Sequence, residues 1–161
     1  MEDKFIDDTD RRLLDSLQTD ASLSNQALAE RLHLSAPTCL RRVKRLQLAG
    51  LIERQIAVLN TDKVAALLGH GLTAIVEITL DRQNAECQEA FELKVARDTA
   101  VQQCYRVSPG PDFVLVVQVA DMPGYQALAQ RLFTSDANVR NVKAYFSTKR
   151  AKFEPKVLLA Q

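Results

Sequence analysis

LSNQALAERLHLSAPTCLRRVKRLQLAGLIER, residues 23–54, decides how the chain is read, because two helix starts and one tight turn fall inside it. Ser24 precedes Leu28 and Leu32, whose i, i+4 spacing puts both on one face of a helix that Ser24 can cap. His33 and Leu34 make the turn. Ser35 is a second N-cap, and Pro37 falls in the following first turn, where a missing N–H and a fixed φ cost little. The second helix therefore starts near Ala36. Leu40, Val43 and Leu46 form its expected inward stripe, with Cys39 at the border, while Thr38, Arg41, Arg42, Lys44 and Arg45 are expected to face outward. A basic helix entered through a tight turn can bring its N-terminal residues to base edges in the major groove of DNA.

Local charge points the same way. Between residues 31 and 54, Arg31, Arg41, Arg42, Lys44, Arg45 and Arg54 face only Glu53, a local charge of +5 in a chain whose total is +1. Attraction to phosphates acts through the local field, so a nearly neutral total does not argue against a nucleic-acid partner. A basic helix face alone is often only a solvated surface, and it is the turn with its two caps that favours DNA.

Working outward, residues 7–18 read as a preceding helix, capped by Thr9 or Asp8, with Leu13, Leu14 and Leu17 inward. Leu13, Leu17, Leu28, Leu32, Leu40, Val43, Leu46 and Leu51 suffice for a trihelical core, and Gly50 stops the third helix. From Leu51 to Val58 the pattern alternates with period two, which predicts a strand acting as a hinge. Asn60 or Thr61 can cap a short helix reaching Leu68, and Gly69-His70-Gly71 breaks it.

Beyond Gly71 the reading is strand 72–80, helix 85–97, strand 100–107, strand 112–119, helix 123–133 and strand 139–149. That βαββαβ order predicts a ferredoxin-like sandwich with both helices on one face of an antiparallel sheet. The expected class is α+β: a helix-turn-helix domain over residues 1–51, a strand and linker over 52–70, and the ferredoxin-like domain over 71–161. Ile75, Ile78, Leu80, Val114, Val116, Val117 and Val119 make the strands apolar on both sides, which predicts burial of the open sheet face by a second subunit, a dimer at least.

Composition excludes several classes. At 47% hydrophobic and 25% charged the chain is ordinary for a globular protein, and the residues after Met1 are acidic rather than apolar, so neither a signal peptide nor a membrane span is expected. A cytoplasmic, nucleoid-associated location follows. Cys39, Cys87 and Cys104 are odd in number, far apart and without a C-x-x-C pair, so reduced structural thiols are expected, with no metal site and no resident cofactor. SPGPD, residues 108–112, reads by itself as a hairpin loop that carries one carboxylate with hydroxyl and backbone groups nearby.

SNQALAERLHLSAPTCLRRVKRLQLAGLI resembles the DNA-binding domain of the Lrp/AsnC (feast/famine) regulators of bacteria and archaea. The resemblance continues through VEITL at 76–80 and CYRVSPGPDFVLVVQVADMPGY at 104–125, nearly the whole chain. It implies a sequence-specific DNA-binding transcriptional regulator and no enzymatic activity. The residues expected at double-stranded DNA are Ser35, Pro37, Thr38, Arg41, Arg42, Lys44 and Arg45, with Thr38 and Arg41 at base edges and Arg42, Lys44 and Arg45 at phosphates. Members of the family dimerise through the second domain, can assemble into octamers, and bind an amino acid between dimers. That places a small amino-acid effector beside Ser108, Gly110, Asp112, Met122, Tyr145 and Ser147, with Asp112 taking the ammonium and N–H groups around Gly110 taking the carboxylate. Two departures stand out: His33 replaces the glycine frequent in the turn, and Pro109-Gly110-Pro111 replaces a glycine-acidic pattern, removing two N–H donors. The second departure leaves an effector-independent DNA-binding protein as an alternative. A further alternative comes from sirohaem decarboxylases of similar build, which use basic residues and histidines, whereas this chain has only His33 and His70.

Overall fold

Caps fix where the first three helices begin. In the computed structural model, which describes residues 6–69 and 71–159, α1 (Asp8–Thr19) is capped by Asp7. Asp10 N–H donates to the Asp7 carboxylate at 2.8 Å and Asp7 N–H donates to Asp10 at 3.1 Å. This reciprocal box satisfies two orphan donors at once, which is why the cap is Asp7 and not Thr9 or Asp8. α2 (Asn25–Leu32) is capped by Ser24 and ends at His33, whose φ of 56° and ψ of 44° are left-handed. That is the conformation the turn requires, and His tolerates it at a modest cost. α3 (Ala36–Leu48) is capped by Ser35, and Gly50, with φ +72°, follows its C-cap Ala49.

The three helices enclose Leu13, Leu14, Leu28, Ala29, Leu32, Cys39 and Leu46. Here α3 departs from the expected stripe. Cys39 and Leu46, two turns apart, point fully inward, with Val43 part-buried between them, while Leu40 remains 45% exposed. Successive residues on a helix are rotated by about 100°, so a stripe centred on Cys39 and Leu46 turns Leu40 away. Leu17 packs against this core while only partly buried, whereas Leu51, 43% exposed, does not join it as expected.

Residues 53–59 form neither helix nor strand, so the strand expected over Leu51–Val58 is absent among the described residues. α4 (Thr61–Leu68) is capped by Asn60 and ends at Gly69 in the left-handed region. His70 lies outside the described residues. The chain divides into two compact units, one reaching Val58 and taking in the segment from Lys152 on, the other Leu59–Ala151. The sequence reading assigned that last segment to the second domain. It belongs with the first because Gln18 exchanges two hydrogen bonds with the Val157 backbone, at 3.1 and 2.6 Å, and Lys156 pairs with Asp15 at 2.8 Å.

The second unit is β1 (Leu72–Leu80), α5 (Ala85–Ala96), β2 (Val101–Arg106), β3 (Phe113–Val119), α6 (Met122–Ala129) and β4 (Val139–Phe146). Its sheet is antiparallel in the order β2-β3-β1-β4, the split arrangement expected of βαββαβ. α6 runs into a π turn at Gln130–Thr134, where the neighbours Leu132 and Phe133 are both buried. Ala74, Val76, Ile78 and Leu80 of β1 and Phe113, Leu115 and Val117 of β3 are buried with Phe91, Val95 and Leu128 of the helices. Alternate residues face the other way. Register lines up Tyr105, Val114, Glu77 and Lys143 in one row of that open face, and Gln103, Val116, Ile75 and Tyr145 in the next. Ile75 is 43% exposed there. Among the described residues no helix is long and apolar enough to cross a membrane.

Candidate nucleic-acid interface

The entry to α3 is built by side chains that satisfy backbone groups. Asn25 Nδ2 donates to the Ala36 carbonyl at 2.8 Å, tying the start of α2 to the start of α3. Ser35 Oγ accepts from Thr38 N–H at 3.4 Å and donates its own proton to Thr38 Oγ1 at 2.8 Å. Ser35 and Thr38 thus hold the first turn rigid, and Thr38 keeps a hydroxyl proton for a partner. Asn25 was missed by the sequence reading, since nothing in its spacing signals a bond across eleven residues.

The four cations of α3 separate into two pairs. Arg42 Nη1 binds Asp7 at 2.7 Å and Asp10 at 2.9 Å, and Arg45 pairs with the other oxygen of Asp10. The Asp10 carboxylate is 1% exposed, and two guanidiniums and the Asp7 N–H satisfy its oxygens. The Asp7 carboxyl is held below its ordinary value by the Asp10 N–H and then by Arg42. Arg42 and Arg45 therefore brace α3 against α1. Arg41 and Lys44 are exposed and make no ion pair with any described residue. Pro37, Leu40, Arg41, Lys44, Arg45 and Leu48 line a shallow depression of about 590 Å³ on this outward face. Leu40 and Leu48 were the residues overlooked; the i, i+7 pair Cys39 and Leu46 was the signal that would have found them.

The six expected effector residues fall into two groups. The loop with Ser108, Gly110 and Asp112 adjoins Phe113 and the Ile78 end of β1, whereas Tyr145 pairs with Ile75, Ser147 N–H donates to Thr73 O at 2.9 Å, and Met122 follows β3 beyond Val119. Ile75, Thr73 and Leu72 lie three, five and six positions from Ile78 along β1, about 10, 16 and 20 Å at 3.3 Å per residue. One chain does not bring the six together. Asp112 is buried, and its Oδ2 accepts from Leu80 N–H at 2.6 Å and from Gln83 Nε2 at 3.2 Å. Its carboxylate fastens the loop to the end of β1, which corrects its expected role as the ammonium partner. Ser108 and Gly110 are exposed, and Gly110, at φ +124°, has a backbone that other residues rarely adopt although a Cβ would have open space.

Burial pushes the Cys39 thiol up, and burial followed by Glu92 does the same at Cys104, so both are poorer thiolates than a free cysteine.

Comparison with known proteins bears on both units. The family described as winged helix-turn-helix DNA-binding matches residues 6–53, and the Lrp/AsnC ligand binding domain matches residues 73–157. DNA-binding transcriptional activator DecR of Escherichia coli is 34% identical over 149 residues, covering 92% of this chain and 95% of its own. The leucine-responsive regulatory protein of the same organism is also 34% identical, over 92% of this chain and 88% of its own. A transcriptional regulator of Neisseria meningitidis, solved as a complex with L-Met, superposes with a TM-score of 0.81 at 28% identity, covering 96% of this chain and 97% of that one.

Proposed function

The chain belongs to the Lrp/AsnC family of transcriptional regulators, and on that premise we propose that it reads operator DNA with α3 as a dimer and answers to a small amino acid held between subunits. The observation that carries the reading is the division of the α3 cations. Arg42 and Arg45 are held by Asp7 and Asp10, which fixes the helix, while Arg41 and Lys44 stand exposed beyond the rigid Ser35–Thr38 turn. A fixed helix with free cations and a polar first turn suits insertion into the major groove. His33 serves as the left-handed residue of the turn, which supports a regulator over a sirohaem-decarboxylase-like enzyme.

Dimer formation is supported by the open sheet face, where Val114, Val116 and Ile75 lie between Tyr105 and Tyr145 and Ile75 is left 43% exposed. Two α3 helices related by a twofold axis call for half-sites about 10 base pairs apart, or a multiple. The separation of the Ser108–Asp112 loop from Met122, Tyr145 and Ser147 supports an effector site completed by two subunits, each giving one group. A relative solved with L-Met makes an amino acid the natural class, and Ser108 with the exposed backbone around Gly110 are the polar groups on offer in the loop. Higher assembly into octamers accords with a site between dimers.

Selection of duplexes from a random pool, followed by footprinting and by calorimetry with each of the twenty amino acids, tests the reading. Paired half-sites and a millimolar or tighter amino acid that shifts assembly or DNA affinity are expected. A single unpaired half-site overturns the dimer. Silence of all twenty amino acids overturns the effector and leaves a constitutive DNA-binding protein.

A further inference from the structure

The outward face of α3 is not uniformly polar. Leu40 is 45% exposed and Leu48 90% exposed, and together with Pro37 and the stems of Arg41, Lys44 and Arg45 they form the shallow depression described above. The core has no claim on Leu40, since Cys39 and Leu46 hold the inward positions at 0% and 1% exposure. An apolar strip rimmed by cations calls for a surface that is anionic at its edges and apolar at its centre. The major groove of duplex DNA has that form at A·T pairs: phosphates border it, and the thymine C5-methyl is the apolar group among the polar edges of its floor.

We propose that Pro37 and Leu40 contact thymine methyl groups, so that the operator half-site carries thymine at one or two fixed positions beneath the first two turns of α3. The inference rests on α3 being the helix that enters the groove and names the base it reads there. Pro37 and Leu40 are three residues apart, a rise of about 4.5 Å along the helix, comparable to the spacing of about 3.4 Å between neighbouring bases on one strand. The two side chains can therefore meet adjacent steps. Leu48 stands about 12 Å beyond Leu40, outside the N-terminal turns that reach base edges, and is not assigned a base. Lys44 flanks the strip and supplies attraction to phosphate that holds it in place, and Arg41 beside it stays within reach of a base edge.

Replacing thymine by uracil removes one methyl group and leaves pairing, charge and every groove hydrogen bond intact. The test starts from a duplex enriched by the wild-type protein from a random pool, then substitutes uracil for each thymine in turn and measures affinity at fixed salt. Expected is a loss of about four- to tenfold at one or two positions per half-site and none elsewhere. Leu40→Ala binds the thymine duplex more weakly by a similar factor, no longer distinguishes uracil at one of those positions, and keeps the wild-type salt slope because no phosphate contact is lost. Its half-exposed site makes an unchanged melting temperature the expected control. Uracil without effect at every position, or Leu40→Ala with full sensitivity to uracil, overturns the proposal. Dissociation of the assembly by Leu40→Ala, with uracil silent in the wild type, assigns the strip to a subunit contact instead. A wild-type protein that enriches no duplex overturns the DNA-binding reading itself, and the methyl contacts with it.

Discussion

The two units of this chain are held by different means. In the helical unit a buried carboxylate, Asp10, sits between Arg42 and Arg45, beside a small apolar core drawn from the three helices. In the sheet unit the interior between sheet and helices is apolar, with Phe91 and Phe113 rings 4.9 Å apart, and the buried carboxylate of Asp112 lies at the loop rather than in the core. The difference follows from size and task. Three short helices enclose little apolar area, so ion pairs fix α3 against α1, and the same pairs decide which cations remain for DNA. The sheet unit has a full two-layer core and can leave one sheet face for a partner.

The contrast is broken or sharpened by substitution. The largest effect is expected from Phe113→Ala, which empties the centre of the sheet unit: about 3–5 kcal/mol of its stability, read from denaturant unfolding. A loss below about 1 kcal/mol would mean that something other than the apolar core holds the sheet. Asp10→Ala leaves Arg42 and Arg45 without their shared partner and removes half of the capping box, so a loss of about 2–4 kcal/mol is expected in the helical unit. An unchanged melt would remove the ionic half of the contrast.

A smaller effect concerns acid. The Asp7 carboxyl is depressed, so its contribution to stability is present above its ordinary value of 3.8 and is lost as pH falls through the lower, folded value. Asp7→Asn keeps a good N-cap and removes the titration, so below about pH 4 the melting temperature of the helical unit should fall less steeply than in the wild type. Equal slopes in the two proteins would deny Asp7 that role.

Most of the fold was legible because local rules and tertiary packing agree. Ser24, Ser35 and Asn60 cap the helices that their spacing announces, His33 takes the left-handed turn, and the alternation in β1 and β3 sorts core from open face. What was not legible depends on contacts remote in sequence. The pairing of Asp7 and Asp10 with Arg42 and Arg45 spans more than thirty residues, and no local spacing announces that these two cations brace α3 against α1. The same holds for Asp112, whose carboxylate meets Leu80 N–H thirty-two positions away. A slip of one residue in the apolar stripe was enough to misplace Leu40. The residues expected at an effector show a different difficulty: the loop lies at the Ile78 end of β1 and Ser147 at the Thr73 end, and spacing in sequence does not announce that separation.

The central claim is that α3 presents Arg41 and Lys44 to DNA while Arg42 and Arg45 hold the helix in place. It is tested most directly by measuring affinity for a selected operator against salt, and melting temperature, in two double variants. Arg41→Ala with Lys44→Ala should melt like the wild type, reduce the salt slope by about one for the Lys44 phosphate contact, and cost about 1–3 kcal/mol at the operator position that Arg41 reads. Arg42→Ala with Arg45→Ala should lower the melting temperature of the helical unit. A wild-type salt slope in the first variant, with the loss of slope found in a second variant that melts normally, would contradict the account.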